Sequence, residues 1–152
     1  IYAIGDVNQQ IMLAHAASRQ GIIAADHIAG KNMTIDEQLV PNAIFTYPEI
    51  GHIGLSEREA INNNIEVIVG KSYLRANSKA VAMQETDGFV KIIANKASRE
   101  IIGATMVGAE ATELLSTLTN LVTARTTIDQ ASSVIYAHPT VAEAIAEALL
   151  SC

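Results

Sequence analysis

The spacing of apolar residues shifts repeatedly along this chain, and each spacing predicts a different element. Ile1 to Ile4 is a short apolar run closed by Gly5-Asp6, the pattern of a buried strand that delivers an acid at its carboxyl end. In open α/β sheets that edge is where ligands bind. From about Ile11 to Ala29 the residues are helix-like and apolar almost all round, with Gly30 as the stop just past the end. So little polar face predicts burial against other structure. Because the helix begins shortly after Asp6, its positive end would face whatever Asp6 holds. The same letters also fit a plain strand-turn-helix unit with Asp6 as a turn residue.

A polar connection, Lys31 to Gln38, leads to Pro41, and the period then changes to that of strands. Ala43 to Tyr47 reads as a strand ended by Pro48-Glu49, and Ile50 to Leu55 as a second strand containing Gly51 and Gly54. Ser56-Glu57-Arg58-Glu59 opens a short helix that ends in three asparagines, and Glu66 to Tyr73 alternates as a third strand. Leu74 to Gln84 fits either a helix or an extended loop. Phe89 to Ala94 and Ile101 to Gly108 flank a short polar loop, which predicts a hairpin. His52 has no His or carboxylate at a matching strand position nearby, so a structural role is expected for it.

Beyond Gly108 the helical period returns. Glu110 to Arg125 carries Leu114, Leu115, Leu118, Leu121 and Val122 along one face. Thr127 is positioned to cap a short helix, and Val141, Ile145, Ala148 and Leu149 form the apolar stripe of a last one. Residues 39–152 are thus expected to form an α+β domain, a mostly antiparallel sheet flanked by helices. Residues 1–38 would be a strand-helix remnant of a preceding domain.

The candidate chemistry lies where that last helix begins, in Ala137-His138-Pro139-Thr140-Val141-Ala142-Glu143-Ala144. A His five residues before a Glu suits an oriented general base, with the carboxylate fixing the tautomer and stabilising the protonated ring. Pro139 would hold His138 extended on entry to the helix. The stretch also fits a capping box, with Thr140 as N-cap and Glu143 at the third helical position. That pattern recurs at Thr34–Glu37, Thr46–Glu49 and Ser56–Glu59, so local letters alone do not choose between cap and base.

Composition narrows the functions. With apolar residues at 49% and charged residues at 17%, the chain is expected to fold around a real core. The net charge of −6, the scattered Lys and Arg and the absence of Trp argue against a nucleic-acid partner. No apolar run reaches membrane-spanning length, so no membrane partner is expected. The single Cys152 excludes a Cys-based metal site and an internal disulfide framework. The start on Ile1, already inside an apolar run, leads us to expect a fragment whose amino-terminal part is missing.

Ile1-Tyr2-Ala3-Ile4-Gly5-Asp6-Val7 followed by Met12-Leu13-Ala14-His15 resembles the last flavin-contacting motif of the flavoprotein disulfide reductases, the pyridine nucleotide-disulfide oxidoreductases. The Met-Leu-Ala-His wording is most similar to the dihydrolipoamide dehydrogenase branch, with mercuric and glutathione reductases as alternatives. Thr46-Tyr47-Pro48-Glu49-Ile50-Gly51, and Gly103-Ala104 through Gly108-Ala109 to Glu113-Leu114, resemble the carboxyl-terminal interface domain of the same family. His138-Pro139-Thr140 with Glu143 falls where these enzymes keep their active-site base.

The resemblance implies FAD and NAD as cofactors of the full-length protein. Asp6 would accept a hydrogen bond from the ribityl chain of FAD, and the backbone around Met12, Leu13 and Ala14 would cap the flavin. It implies a homodimer in which His138, oriented by Glu143, serves the flavin and disulfide of the other subunit. It further implies lipoyl domains of 2-oxo acid dehydrogenase complexes as partners, and a bacterial cytoplasmic or mitochondrial matrix location. The chain carries no Cys-x4-Cys pair and no Gly-x-Gly-x-x-Gly fingerprint. By itself it is therefore expected to be inactive, to bind FAD weakly and to serve as an associative domain.

Overall fold

The β-branched alternation in the middle of the chain produces one five-stranded antiparallel sheet. Its strands are β1 (Asn42–Ile44), β2 (Ile50–Gly54), β3 (Val67–Tyr73), β4 (Phe89–Asn95) and β5 (Ile101–Val107), in the order β1-β2-β5-β4-β3. This computed structural model describes residues 1–152 and divides into two compact units, Ile1–Val40 and Pro41–Cys152. The expected hairpin is β4–β5, with Phe89 opposite Val107 and a register shift at Ile93/Ala94. The larger unit has the expected α+β fold.

In that unit the helices are α2 (Glu57–Asn62), α3 (Ser78–Met83), α4 (Ala111–Thr123), α5 (Ile128–Ser132) and α6 (Glu143–Leu150). Side chains alternate between the sheet's faces. The registers put Ile53, Ala104, Met106, Val90 and Ile92 on one face, all fully buried. Helices α4 and α6 cover this face, α4 over β2 and β5, α6 over β3 and β4. From α4 come Leu115, Leu118 and Val122, and from α6 Ile145, Ala148 and Leu149. At roughly 1.5–3 kcal/mol for each large apolar side chain taken from water, this layer outweighs any surface contact in the unit.

Two features of β3 bring α6 unusually close. A Cβ on Gly70 would run into the Ala148 carbonyl and the Cys152 sulfur, so only a glycine admits the helix backbone there. One step along the same face, buried Ser72 donates from its hydroxyl to the Ala144 carbonyl at 2.6 Å. On the other face, His52 sits half-buried with Nδ1 2.9 Å from Thr105 Oγ1 and Nε2 3.1 Å from the Gly54 carbonyl. Both ring nitrogens are engaged within the sheet, in keeping with a structural role.

Leu74 to Gln84 proves to be a 3-10 turn (Leu74–Ala76) followed by α3, capped by the Asn77 side chain on the Ala80 N–H. Ser56–Glu59 and Thr127–Gln130 close as reciprocal capping boxes. Thr34–Glu37 does not, because Asp36 caps the short turn that follows. At Thr46–Glu49 no helix starts. Thr46 donates to the Pro48 carbonyl, and the Glu49 carboxylate accepts from both the N–H and hydroxyl of Thr112.

The smaller unit is a 3-10 turn (Gly5–Asn8) and helix α1 (Ala14–Ile28). Gly30, at φ +80°, ends α1 with paired bonds from Gly30 N–H to His27 and from Lys31 N–H to Asp26. Two expectations fail here. Ile1 to Ile4 is not a strand: Ile4 keeps extended angles, but no strand of the chain pairs with this run, and Tyr2 and Ile4 are exposed. Helix α1, expected to be buried, has only Ala16 buried.

Gly70→Ala tests the close seating of α6. Overpacking against fixed backbone costs about 1–3 kcal/mol, and a midpoint shift of that size is expected in chemical denaturation.

Candidate functional site

The segment between α5 and α6 has no regular structure, and hydrogen bonds to backbone and side chains define it instead. The His138–Pro139 peptide is cis, and the chain then passes through Thr140 into a turn at Val141–Ala142. The Ala144 and Ile145 N–H groups bond back to the Val141 and Ala142 carbonyls, so the first turn is of the tight 3-10 kind. The capping box expected at Thr140 is only half formed. Ala142 occupies the cap position, and the Thr140 hydroxyl donates to the Ala137 carbonyl at 2.8 Å instead of accepting from the helix.

The other half of the box supplies the site. Glu143 Oε2 accepts from the Thr140 N–H at 2.9 Å, and Glu143 Oε1 lies 2.9 Å from His138 Nδ1. One carboxylate thus pins the loop with one oxygen and the imidazole with the other. An ionised carboxylate can only accept, so Nδ1 carries the proton and Nε2 is left as the free basic nitrogen. The His138 side chain is 71% exposed against 24% for Glu143, so the basic edge faces outward and its anchor is sheltered.

Hydrogen bonding keeps the carboxylate ionised. The Thr140 N–H, then the His138 ring, hold the Glu143 carboxyl below the ordinary glutamate range. Glu59, through its bonds to Ser56, and Asp129, through Arg99, are lowered in the same way. A folded-state pKa below the unfolded value stabilises the fold above the unfolded pKa, and that contribution is lost as pH falls through the folded one.

The smaller unit places Asp6 exposed in its 3-10 turn. Gln20 of α1 holds this turn, its Oε1 accepting from the Gly5 N–H at 2.7 Å and Asn8 Nδ2 at 3.0 Å. Leu13 is extended at the cap position of α1 and gives no side-chain cap, Ala14 is the first helical residue, and Met12 is 68% exposed. Leu13 thus offers the first turn of α1 no side-chain acceptor. No group of His, Cys, Asp and Glu side chains could hold a metal ion, and no helix is long and apolar enough to cross a membrane.

Sequence reasoning did not single out Asn77. It is one of two buried polar side chains, 1% exposed, and donates from Nδ2 to the Thr140 carbonyl at 3.0 Å. An Asn before a run of helix formers was the available signal, but a bond spanning 63 residues has no local signature.

The open antiparallel sheet with α4 and α6 on one face is a fold this chain shares with solved proteins. The crystal structure of LpdA from Mycobacterium tuberculosis superposes with a TM-score of 0.91 at 29% identity, over 98% of this chain and 33% of that one. The flavoprotein disulfide reductase RclA from Escherichia coli shares the fold, with a TM-score of 0.90 at 22% identity, over 98% of this chain and 35% of that one.

Residues 40–149 match the family described as pyridine nucleotide-disulphide oxidoreductase, dimerisation domain, and the chain belongs to that family. Among similar proteins are the dihydrolipoyl dehydrogenases of Haloferax volcanii, 43% identical over 97% of this chain, and of Chlamydia trachomatis, 47% identical over 99%. That of Bacillus subtilis is 44% identical over 99%. These alignments take up 31%, 32% and 33% of the relatives, so the chain spans about a third of their length.

In a carboxyl-carbon NMR titration, Glu143 is expected to titrate below the ordinary glutamate range. His138→Ala should move its midpoint upward, because one of its two hydrogen bonds is lost. An unmoved midpoint would show that Glu143 serves Thr140 alone.

Proposed function

We propose that the chain is the dimerisation-domain part of a dihydrolipoyl dehydrogenase, and that His138 with Glu143 is the general base it supplies across a homodimer. The observation that carries this reading is the double use of the Glu143 carboxylate, which leaves His138 Nε2 basic and exposed. The names of the curated relatives favour this branch over mercuric or glutathione reductase.

In the proposed step, His138 Nε2 takes the proton of a dihydrolipoamide thiol. A thiol near its ordinary pKa is only slightly ionised at neutral pH, so the thiolate must be generated where it attacks. The thiolate sulfur forms a bond to one sulfur of the partner subunit's redox disulfide, and the second sulfur of that disulfide leaves as a thiolate. Glu143 stabilises the imidazolium that results. FAD, when bound, supplies the acceptor that passes two electrons on to NAD. Asp6 and the backbone of Met12, Leu13 and Ala14 would hold the ribityl chain and the pyrimidine edge. Protein-bound lipoyl groups of 2-oxo acid dehydrogenase complexes are the substrates, and the bacterial cytoplasm or mitochondrial matrix the compartment.

For the chain by itself the reading is associative. Phe45, Tyr47 and Ile135 are 81%, 88% and 96% exposed, apolar side chains that association would cover. Self-association at micromolar concentration is expected in sedimentation, and a strictly monomeric chain would count against it.

In the full-length protein, His138→Gln is expected to lower lipoamide-dependent NADH formation by roughly 10²–10⁴-fold with FAD still bound. The 152-residue chain assayed without the remainder should show no turnover. Measurable turnover by the chain, or full activity of the variant, overturns the proposal.

A further inference from the structure

Asn77 is the one buried polar group that ties the His138–Glu143 loop to another part of the fold, and the proposed function leaves it unused. Its side-chain oxygen accepts from the Ala80 N–H at 2.9 Å, and its side-chain nitrogen donates to the Thr140 carbonyl at 3.0 Å. The two bonds determine which way round the amide lies, since one partner only donates and the other only accepts. The Asn77 backbone N–H bonds to the Leu74 carbonyl, so the side chain projects from a turn that is itself fixed.

We infer that Asn77 is a positioning residue for the His138–Glu143 pair, acting through the Thr140 peptide; this rests on the reading of that pair as a base. Thr140 is held on three sides: by Asn77 at its carbonyl, by Ala137 at its hydroxyl and by Glu143 at its N–H. The last bond uses the carboxylate whose other oxygen orients His138. A shift of the Thr140 peptide changes where Oε2 is anchored and, because the carboxylate is rigid, where Oε1 meets the ring. Asn77 itself is buried, so its amide cannot exchange the Thr140 carbonyl for water without cost.

Asn77→Asp separates this role from helix capping. The carboxylate still accepts from the Ala80 N–H but cannot donate to the Thr140 carbonyl. The measurement is the nitrogen spectrum of ¹⁵N-histidine-labelled protein, full chain, which reports the tautomer of His138 directly. The native protein should show the Nδ1–H form, and Glu143→Gln should weaken that preference. In Asn77→Asp the ratio of Nδ1–H to Nε2–H forms is expected to fall roughly fivefold, the worth of about one hydrogen bond, with the dispersion of a folded protein retained. An unchanged ratio in folded Asn77→Asp overturns the inference while leaving the pair intact. Absence of the Nδ1–H form from the native protein overturns the pair reading itself. Asn77→Ser, which keeps a short acceptor for the cap and is too short to reach Thr140, is the second variant. If both variants fail to fold, Asn77 serves the fold as a whole and the inference is overturned as well.

Discussion

The seating of α6 against β3 is the constraint on which the rest depends. Gly70 admits the helix backbone, Ser72 bonds to its first turn, and Ile145, Ala148 and Leu149 fill the space between helix and sheet. Together they fix the start of α6, and Glu143 is its first residue. A backbone contact of this kind tolerates little displacement, because packed interiors deform at high cost. The site therefore inherits its precision from the sheet, although the loop that carries His138 has no regular structure.

Glu143 serves two hydrogen-bond partners with the two oxygens of one carboxylate. Its contact with the Thr140 N–H is half of a capping box, of the sort worth about 1 kcal/mol to a helix. In Ser56–Glu59 and Thr127–Gln130 both halves of the box close on the same turn. At Thr140 the hydroxyl turns away to Ala137 and the box stays half open, while the second carboxylate oxygen of Glu143 meets His138. In the closed Ser56 box both bonds that Ser56 donates go to a single oxygen of Glu59, so what sets Glu143 apart is the ring placed within reach of its other oxygen.

Much of this could be read from the letters. Strand alternation at Val67–Tyr73 and the leucine spacing of α4 follow from burial on one face, a signal written every second or fourth residue, and β4 and β5 show as apolar runs around a short polar loop. What stayed out of reach depends on distant partners. The Ile1–Ile4 run has the composition of a strand, but strand formation needs a neighbour to bond with, and composition says nothing of whether one is present. Thr46–Glu49 spells a capping box and is instead a turn whose glutamate reaches α4 at Thr112. Asn77 carries no local mark because its bond crosses from the start of α3 to the loop before α6.

Exposure along the chain of contacts runs in one direction. Asn77 is 1% exposed, the Glu143 side chain 24%, and the His138 side chain 71%. A base meant to work on groups of its own chain would gain from burial at its reactive edge, where water competes least. Here the rigid groups are inside and the basic nitrogen is on the surface. Under the proposed role, that distribution suits a base whose reaction partner arrives on another molecule. The same logic accounts for why the imidazole is held through Nδ1 alone. His52, by contrast, has both ring nitrogens engaged within the sheet.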